Sequence, residues 1–135
     1  MKNIILFALI LVSSVIVCFE TSYAFNSEDL QRLMKTGSCV DCDLSGAVLI
    51  HMKLGGADLA GANLSGANLT DSYLAGANLE GANLSNAVLI STSLAGANLF
   101  RAKLGRSNLM YMDLSGATWV DGSSCLKPSS GWCKK

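Results

Sequence analysis

The sequence predicts an all-β chain wound into a four-sided β-helix of about four coils, with a short capping helix at its N-terminal end. Three observations predict it: an unbroken leucine period of five, exceptions to the repeat that recur every twenty residues, and short cysteine-bearing segments on both flanks.

Residues 1–24 read as a signal peptide. Lys2 supplies the positive start, Ile4 to Val12 an apolar core, and Ser22-Tyr23-Ala24 the small residues at −3 and −1 of a cleavage site before Phe25. An uncleaved anchor is the alternative. The apolar stretch, even extended to Phe19, is shorter than the ~20 residues of a spanning helix, and Ser13 and Ser14 interrupt it. A lipid-modified Cys18 is disfavoured, because Val17 stands where a small residue is needed. The expected address is therefore exported: periplasm, thylakoid lumen or extracellular space, without membrane contact after cleavage.

Residues 25–41 supply a capping helix and a linker. Asn26 or Ser27 suits the N-cap, Glu28 and Asp29 the first turn, and Leu30, Leu33 and Met34 share one face up to Lys35. Gly37 can end the helix.

Residues 42–121 carry the repeat. From Leu44 to Leu114 every fifth residue is leucine, Trp119 takes the next place, and the residue two before a leucine is in most repeats small, usually alanine. An α-helix would set successive leucines about 140° apart, with no common face. A flat strand would send alternate leucines to solvent, because five is odd. A short extended segment followed by a turn satisfies the spacing. The small residue and the leucine point inward, the residue between them points outward, and the last two form a corner. Gly46, Gly56, Gly61 and others hold the last place, where the turn favours positive φ.

The exceptions set the number of sides. Met52, Ser72, Thr92 and Met112 all replace the small alanine and lie twenty apart. Ala47-Val48-Leu49-Ile50 and Ala87-Val88-Leu89-Ile90 are near-copies forty apart. Both favour four sides, hence four stacked coils and a body roughly 20 Å long.

The runs Ala57-Asp58-Leu59, Ala62-Asn63-Leu64, Ala67-Asn68-Leu69, Ala77-Asn78-Leu79, Ala82-Asn83-Leu84 and Ala97-Asn98-Leu99 resemble the A(D/N)LXX motif of the pentapeptide-repeat family. The resemblance covers nearly all of 42–121. It implies a right-handed quadrilateral β-helix; the handedness comes from the likeness and not from the spacing. Secreted members of that family look similar at both ends, with a short helix and cysteines before the first coil.

Residues 122–135 form a C-terminal cap closed by a disulfide, in which Trp119, Leu126 and Trp132 are expected to cover the last coil. Without Cys18 the cysteines number four, an even set that favours disulfides in an oxidising compartment. Cys39 and Cys42 precede the coils, whereas Cys125 and Cys133 follow them. The two sets should lie ~14 Å or more apart, and a bridge needs Cα atoms within about 7 Å. The expected pairs are Cys39–Cys42 and Cys125–Cys133.

Formal charge is zero, which argues against a general nucleic-acid binder. The charges are nonetheless segregated. From Phe25 to Phe100 three bases face seven acids, net −4; from Arg101 onward six bases face two acids, net +4. Family members that mimic DNA and protect gyrase are cytoplasmic and strongly acidic, unlike this neutral chain with its export signal.

Candidate chemistry is sparse. Cys39-Val40-Asp41-Cys42 is a C-x-x-C, but no βαβ pattern surrounds it, and Asp43 stands where heme attachment needs histidine. A zinc site lacks a matching second knuckle. His51 is the one histidine, so no His-based catalytic pair exists. The outward asparagines are read as ladder and turn-bonding groups.

The surface that stands out is the second side. Its outward positions are Val48 and Ile50, then Asn68 and Thr70, then Val88 and Ile90, then Asn108, Met110 and Tyr111. Such residues can pack against a terminal segment, mediate homodimerisation, or form a partner site. The expected function is a non-enzymatic exported scaffold or protein-interaction module with no cofactor. The contrasting expectation is a small thiol–disulfide redox protein using Cys39 and Cys42.

Overall fold

The structure is a computed structural model that describes residues 25–135. The signal-peptide expectation for residues 1–24 lies outside the described residues.

From Leu44 to Leu99 each leucine N–H donates to the residue nineteen ahead, as Leu44 does to the Asn63 carbonyl at 2.8 Å. From Asp58 to Thr118 each outward residue donates back, as Asn63 does to the Cys42 carbonyl at 2.8 Å. The two bonds frame a parallel bridge, and every parallel bridge of the repeat joins residues twenty apart. The side-1 ladder is Asp43–Asn63–Asn83–Lys103 and side 2 is Val48–Asn68–Val88–Asn108. Side 3 is Lys53–Tyr73–Ser93–Asp113, and side 4 is Ser38–Asp58–Asn78–Asn98–Thr118. Four sides of five residues account for the twenty-residue recurrence in the sequence.

A turn closes each side, as where the Ala47 N–H reaches the Leu44 carbonyl at 3.1 Å. The residue before the small one has positive φ, between 55° and 73° across the repeat. Gly61 shows why glycine recurs there. Besides its φ of 67°, a Cβ would come within 2.0 Å of an Asp41 carboxylate oxygen. His51, Asp71, Arg101 and Tyr111 take the same strained conformation without being glycine.

The core is a column of leucines with alanines between them, buried from Leu44 to Leu99. Each such leucine contributes ~1.5–3 kcal/mol of transfer free energy. Ser72 and Thr92, the polar exceptions, are buried as well. The Thr92 hydroxyl donates to the Leu69 carbonyl at 2.8 Å, and the Ser72 hydroxyl to the Leu49 carbonyl, so neither costs an unmet donor.

Helix α1 spans Ser27–Thr36. Asn26 is its N-cap, accepting from the Glu28 N–H, and Gly37 ends it at φ 70°. Asp29 ties the helix to the first coil by accepting from the Asp43 N–H at 2.8 Å. Only Leu33 of the expected face is buried; Leu30 is half-buried and Met34 is exposed. Ten residues crossing the coil end bring one turn of the helix over the axis, which leaves Met34 beyond it.

The C-terminal tail adds a partial fifth layer. It pairs antiparallel at Asp113↔Ser130 and Thr118↔Ser124, on sides 3 and 4. Leu126 and Trp132, expected as covers, are 57% and 64% exposed. Cys125, Ser129 and Cys133 turn inward instead. The tail makes no bridge to sides 1 and 2 and touches only the end of side 2, where Gly131 lies against the Leu109 carbonyl. Leu104 and Leu109 are therefore only half-buried, against the expectation that every repeat leucine lies in the core.

Candidate interaction face

On sides 1 and 4 the outward residues build amide ladders. Asn63 Nδ2 donates to Asp43 Oδ1 at 3.1 Å and Asn83 Nδ2 to Asn63 Oδ1 at 3.3 Å. Asn78 and Asn98 repeat this above Asp58. Each asparagine oxygen also accepts from the N–H two residues on, as Asn63 does from Ser65. These bonds match the ladder-and-turn role read from the sequence.

Side 2 breaks that ladder. Val48 and Val88 alternate with Asn68 and Asn108, so each amide loses its neighbour. Beside them run Ile50, Thr70, Ile90 and Met110. Val48 is 68% exposed, Met110 52% and Tyr111 70%. Ile50 is also exposed, whereas Val88 and Ile90 are half-buried between the coils above and below them. The structure therefore brings the six predicted face residues onto one side. No described terminal segment pairs with that side: the tail lies on sides 3 and 4, and α1 crosses the coil end. Tyr73, exposed on side 3, is an aromatic neighbour that the side-2 reading missed.

The cysteines lie in the two expected pairs. Cys39 and Cys42 have sulfurs 2.02 Å and Cα atoms 5.3 Å apart; for Cys125 and Cys133 the distances are 2.10 and 5.0 Å. Cys39 and Cys42 are fully buried, and the Arg32 guanidinium lies on the Cys42 sulfur. That burial denies a substrate disulfide access to the sulfurs, which weighs against redox exchange. An Asp29 carboxylate oxygen lies within 4.8 Å of both sulfurs, but the carboxylate is engaged, Oδ1 by Arg32 and Oδ2 by the Asp43 N–H.

His51 is exposed at its corner, with Nδ1 3.9 Å from an Asp71 carboxylate oxygen. Three carboxyls are held below the ordinary aspartate value. The Ser45 hydroxyl and N–H do this for Asp43, and those of Ser115 for Asp113. The Lys135 ammonium, then Ser123, lowers Asp121 furthest. An open cleft of about 340 Å³ separates α1 from side 3, lined by Leu33, Met34, Lys53 and Leu54.

Eight copies of Pentapeptide repeats match residues 42–81 and 67–106. No curated protein matches the chain. Among solved structures, alr5209, a pentapeptide repeat protein from Nostoc PCC 7120, is 31% identical, with 70% of this chain and 75% of that one covered and a TM-score of 0.57. HetL, a pentapeptide repeat protein involved in heterocyst differentiation regulation in Nostoc sp. strain PCC 7120, is 31% identical over 64% of this chain, with a TM-score of 0.40. This chain spans about half of HetL, 51%. QnrB1, a plasmid-mediated fluoroquinolone resistance protein, is 23% identical over 59% of this chain and 39% of its own, with a TM-score of 0.54, a likeness of fold.

Proposed function

Because the chain belongs to the pentapeptide-repeat family, whose members form right-handed quadrilateral β-helices and generally serve as structural or interaction modules, we propose that it is a non-enzymatic, exported scaffold that docks a partner protein through side 2. The observation that carries this is the break in the amide ladder. Sides 1 and 4 use outward asparagine for hydrogen bonds, whereas side 2 exposes valine, isoleucine, methionine and tyrosine. Outward apolar groups contribute nothing to the axis, and a stripe of them along one wall suits protein contact. No outward column is a run of carboxylates, so mimicry of a nucleic-acid backbone has no support in the surface.

Export rests on the positive start and apolar core of residues 1–24, together with four remaining cysteines that pair locally. Mass spectrometry of the protein from its own cells should give a chain beginning at Phe25. Val48→Lys with Met110→Lys changes the two exposed ends of the stripe and spares the core. That variant should keep its circular dichroism spectrum and lose the partner captured by the wild type. Retention of every partner by the folded variant removes the side-2 reading. Sedimentation of the wild type alone separates a second copy from a different protein.

A further inference from the structure

We propose that the half-coil left open over sides 1 and 2 at the C-terminal end is a strand-addition site for an extended, acidic polypeptide segment with two apolar residues five apart.

In the third coil the N–H groups of Leu84, Asn86, Leu89 and Ser91 all donate to the fourth coil, at 2.8–3.0 Å. Their fourth-coil equivalents, Leu104, Arg106, Leu109 and Tyr111, meet no acceptor among the described residues. The Ala102 and Ser107 carbonyls likewise lack the donors that Lys103 and Asn108 supply one coil below. Four donors and two acceptors thus stand in ladder register along one edge. On sides 3 and 4 the tail meets the same need, as where Leu114 donates to the Ser129 carbonyl at 2.8 Å.

The side chains under this edge specify the guest. Leu104 and Leu109 are half-exposed in places where Leu84 and Leu89 are buried. Two apolar residues five apart would stack on them and continue the axis. The rim is positive: Arg101, Lys103 and Arg106 are exposed. From Ala82 to Ser91 and from Ala102 to Tyr111, the third- and fourth-coil residues of these two sides, there is no carboxylate. Acidic outward residues therefore suit the guest.

A second copy fits poorly. A whole coil seated flush would need the layer that the tail already occupies on sides 3 and 4. Edge-to-edge pairing of identical rims would also set the same arginines and lysine against each other. The vacancy takes one strand, about ten residues for two sides, and ends at the corner where Gly131 of the tail lies beside the Leu109 carbonyl and the Tyr111 N–H. The site does not depend on the side-2 reading, since it uses backbone groups at one end rather than the wall.

The test uses oxidised, isotope-labelled protein and the peptide Gly-Ala-Asp-Leu-Ser-Gly-Ala-Asp-Leu-Ser-Gly, two repeats with aspartate outward. In the free protein, amide exchange at residues 104, 106, 109 and 111 should be fast, whereas at 84, 86, 89 and 91 it should be slow. Saturating peptide should slow the first set by about tenfold or more. A lysine-for-aspartate peptide should bind about tenfold more weakly. Lys103→Glu with Arg106→Glu should reverse that preference. The proposal fails if the four amides are already protected in the free protein. Protection that grows with protein concentration alone would assign the edge to a second copy. Absence of protection at about 1 mM peptide, a binding free energy weaker than roughly −4 kcal/mol, also ends it.

Discussion

The two ends of the solenoid are closed by different devices. At the N-terminal end α1 lays Leu33 across the axis, and its own backbone bonds are satisfied within the helix. It ties down by the Asn26 N–H to the Asp43 carbonyl and by Asp29, both on side 1, and leaves the Lys53 edge facing a cleft. At the C-terminal end a tail of strand character pairs the edge directly, but residues 122–135 pair with only two of the four sides. Covering an apolar cross-section and pairing a strand edge are thus separate tasks. A helix does the first and a strand does the second, and neither end of this chain has both in full.

The largest effects should separate the lid from the open edge. Leu84→Asp places a carboxylate in the sealed axis and should leave no soluble folded protein. Leu33→Asp should detach α1, costing about 3 kcal/mol or more by chemical denaturation. Leu109→Asp, at a site already half in water, should cost about 1 kcal/mol. If Leu109→Asp proves as damaging as Leu33→Asp, the contrast between the ends is wrong.

A smaller effect is expected from the cysteines. Cys125→Ser with Cys133→Ser opens the larger loop and should cost about 2.5 kcal/mol in the chain-entropy picture. Cys39→Ser with Cys42→Ser should cost about 2 kcal/mol on the same basis. Equilibrium unfolding of the two double variants ranks them. The reverse order would show that packing around the buried Cys39 and Cys42 outweighs loop closure.

Acid should give the smallest change, and it should reach the C-terminal end first. Asp113 and Asp121 both sit there with carboxyls below the ordinary value, against Asp43 alone at the other end. A depressed carboxyl stabilises the fold above its unfolded value, about 4, and that support fades as pH falls through the folded value. Protection of the Ser123 and Cys125 amides, relative to their intrinsic exchange rates, should therefore fall below about pH 4 before that of α1 does. Earlier loosening of α1 would contradict this.

The coil was legible because its grammar is periodic. Leucine at every fifth place forbade a helix and a flat strand, and the column Met52, Ser72, Thr92, Met112 gave four sides, as the twenty-residue bridges confirm. The same column did not disclose its purpose. The Thr92 hydroxyl answers a carbonyl twenty-three residues earlier, a contact visible only once the coils are stacked. The ends were less legible, because cap residues lie outside the repeat and carry no register. Trp132 and Leu126 looked like covers by size and hydropathy, yet Cys125, Ser129 and Cys133 turn inward. Nothing in the sequence said that residues 122–135 would pair with sides 3 and 4 rather than with sides 1 and 2, where Leu104 and Leu109 are half-exposed.

One geometric fact has a bearing on size. Since the parallel contacts of the repeat link residues separated by twenty, the molecule can change length only in whole windings. Excision of 62–81 would join Gly61 to Ala82, the same junction type as Gly61 to Ala62, and each wall would shorten by one rung. Removal of five residues would instead rotate everything downstream by a quarter turn, and the tail would then close a different pair of walls. Length here is counted in steps, and the step also fixes where the vacant corner points.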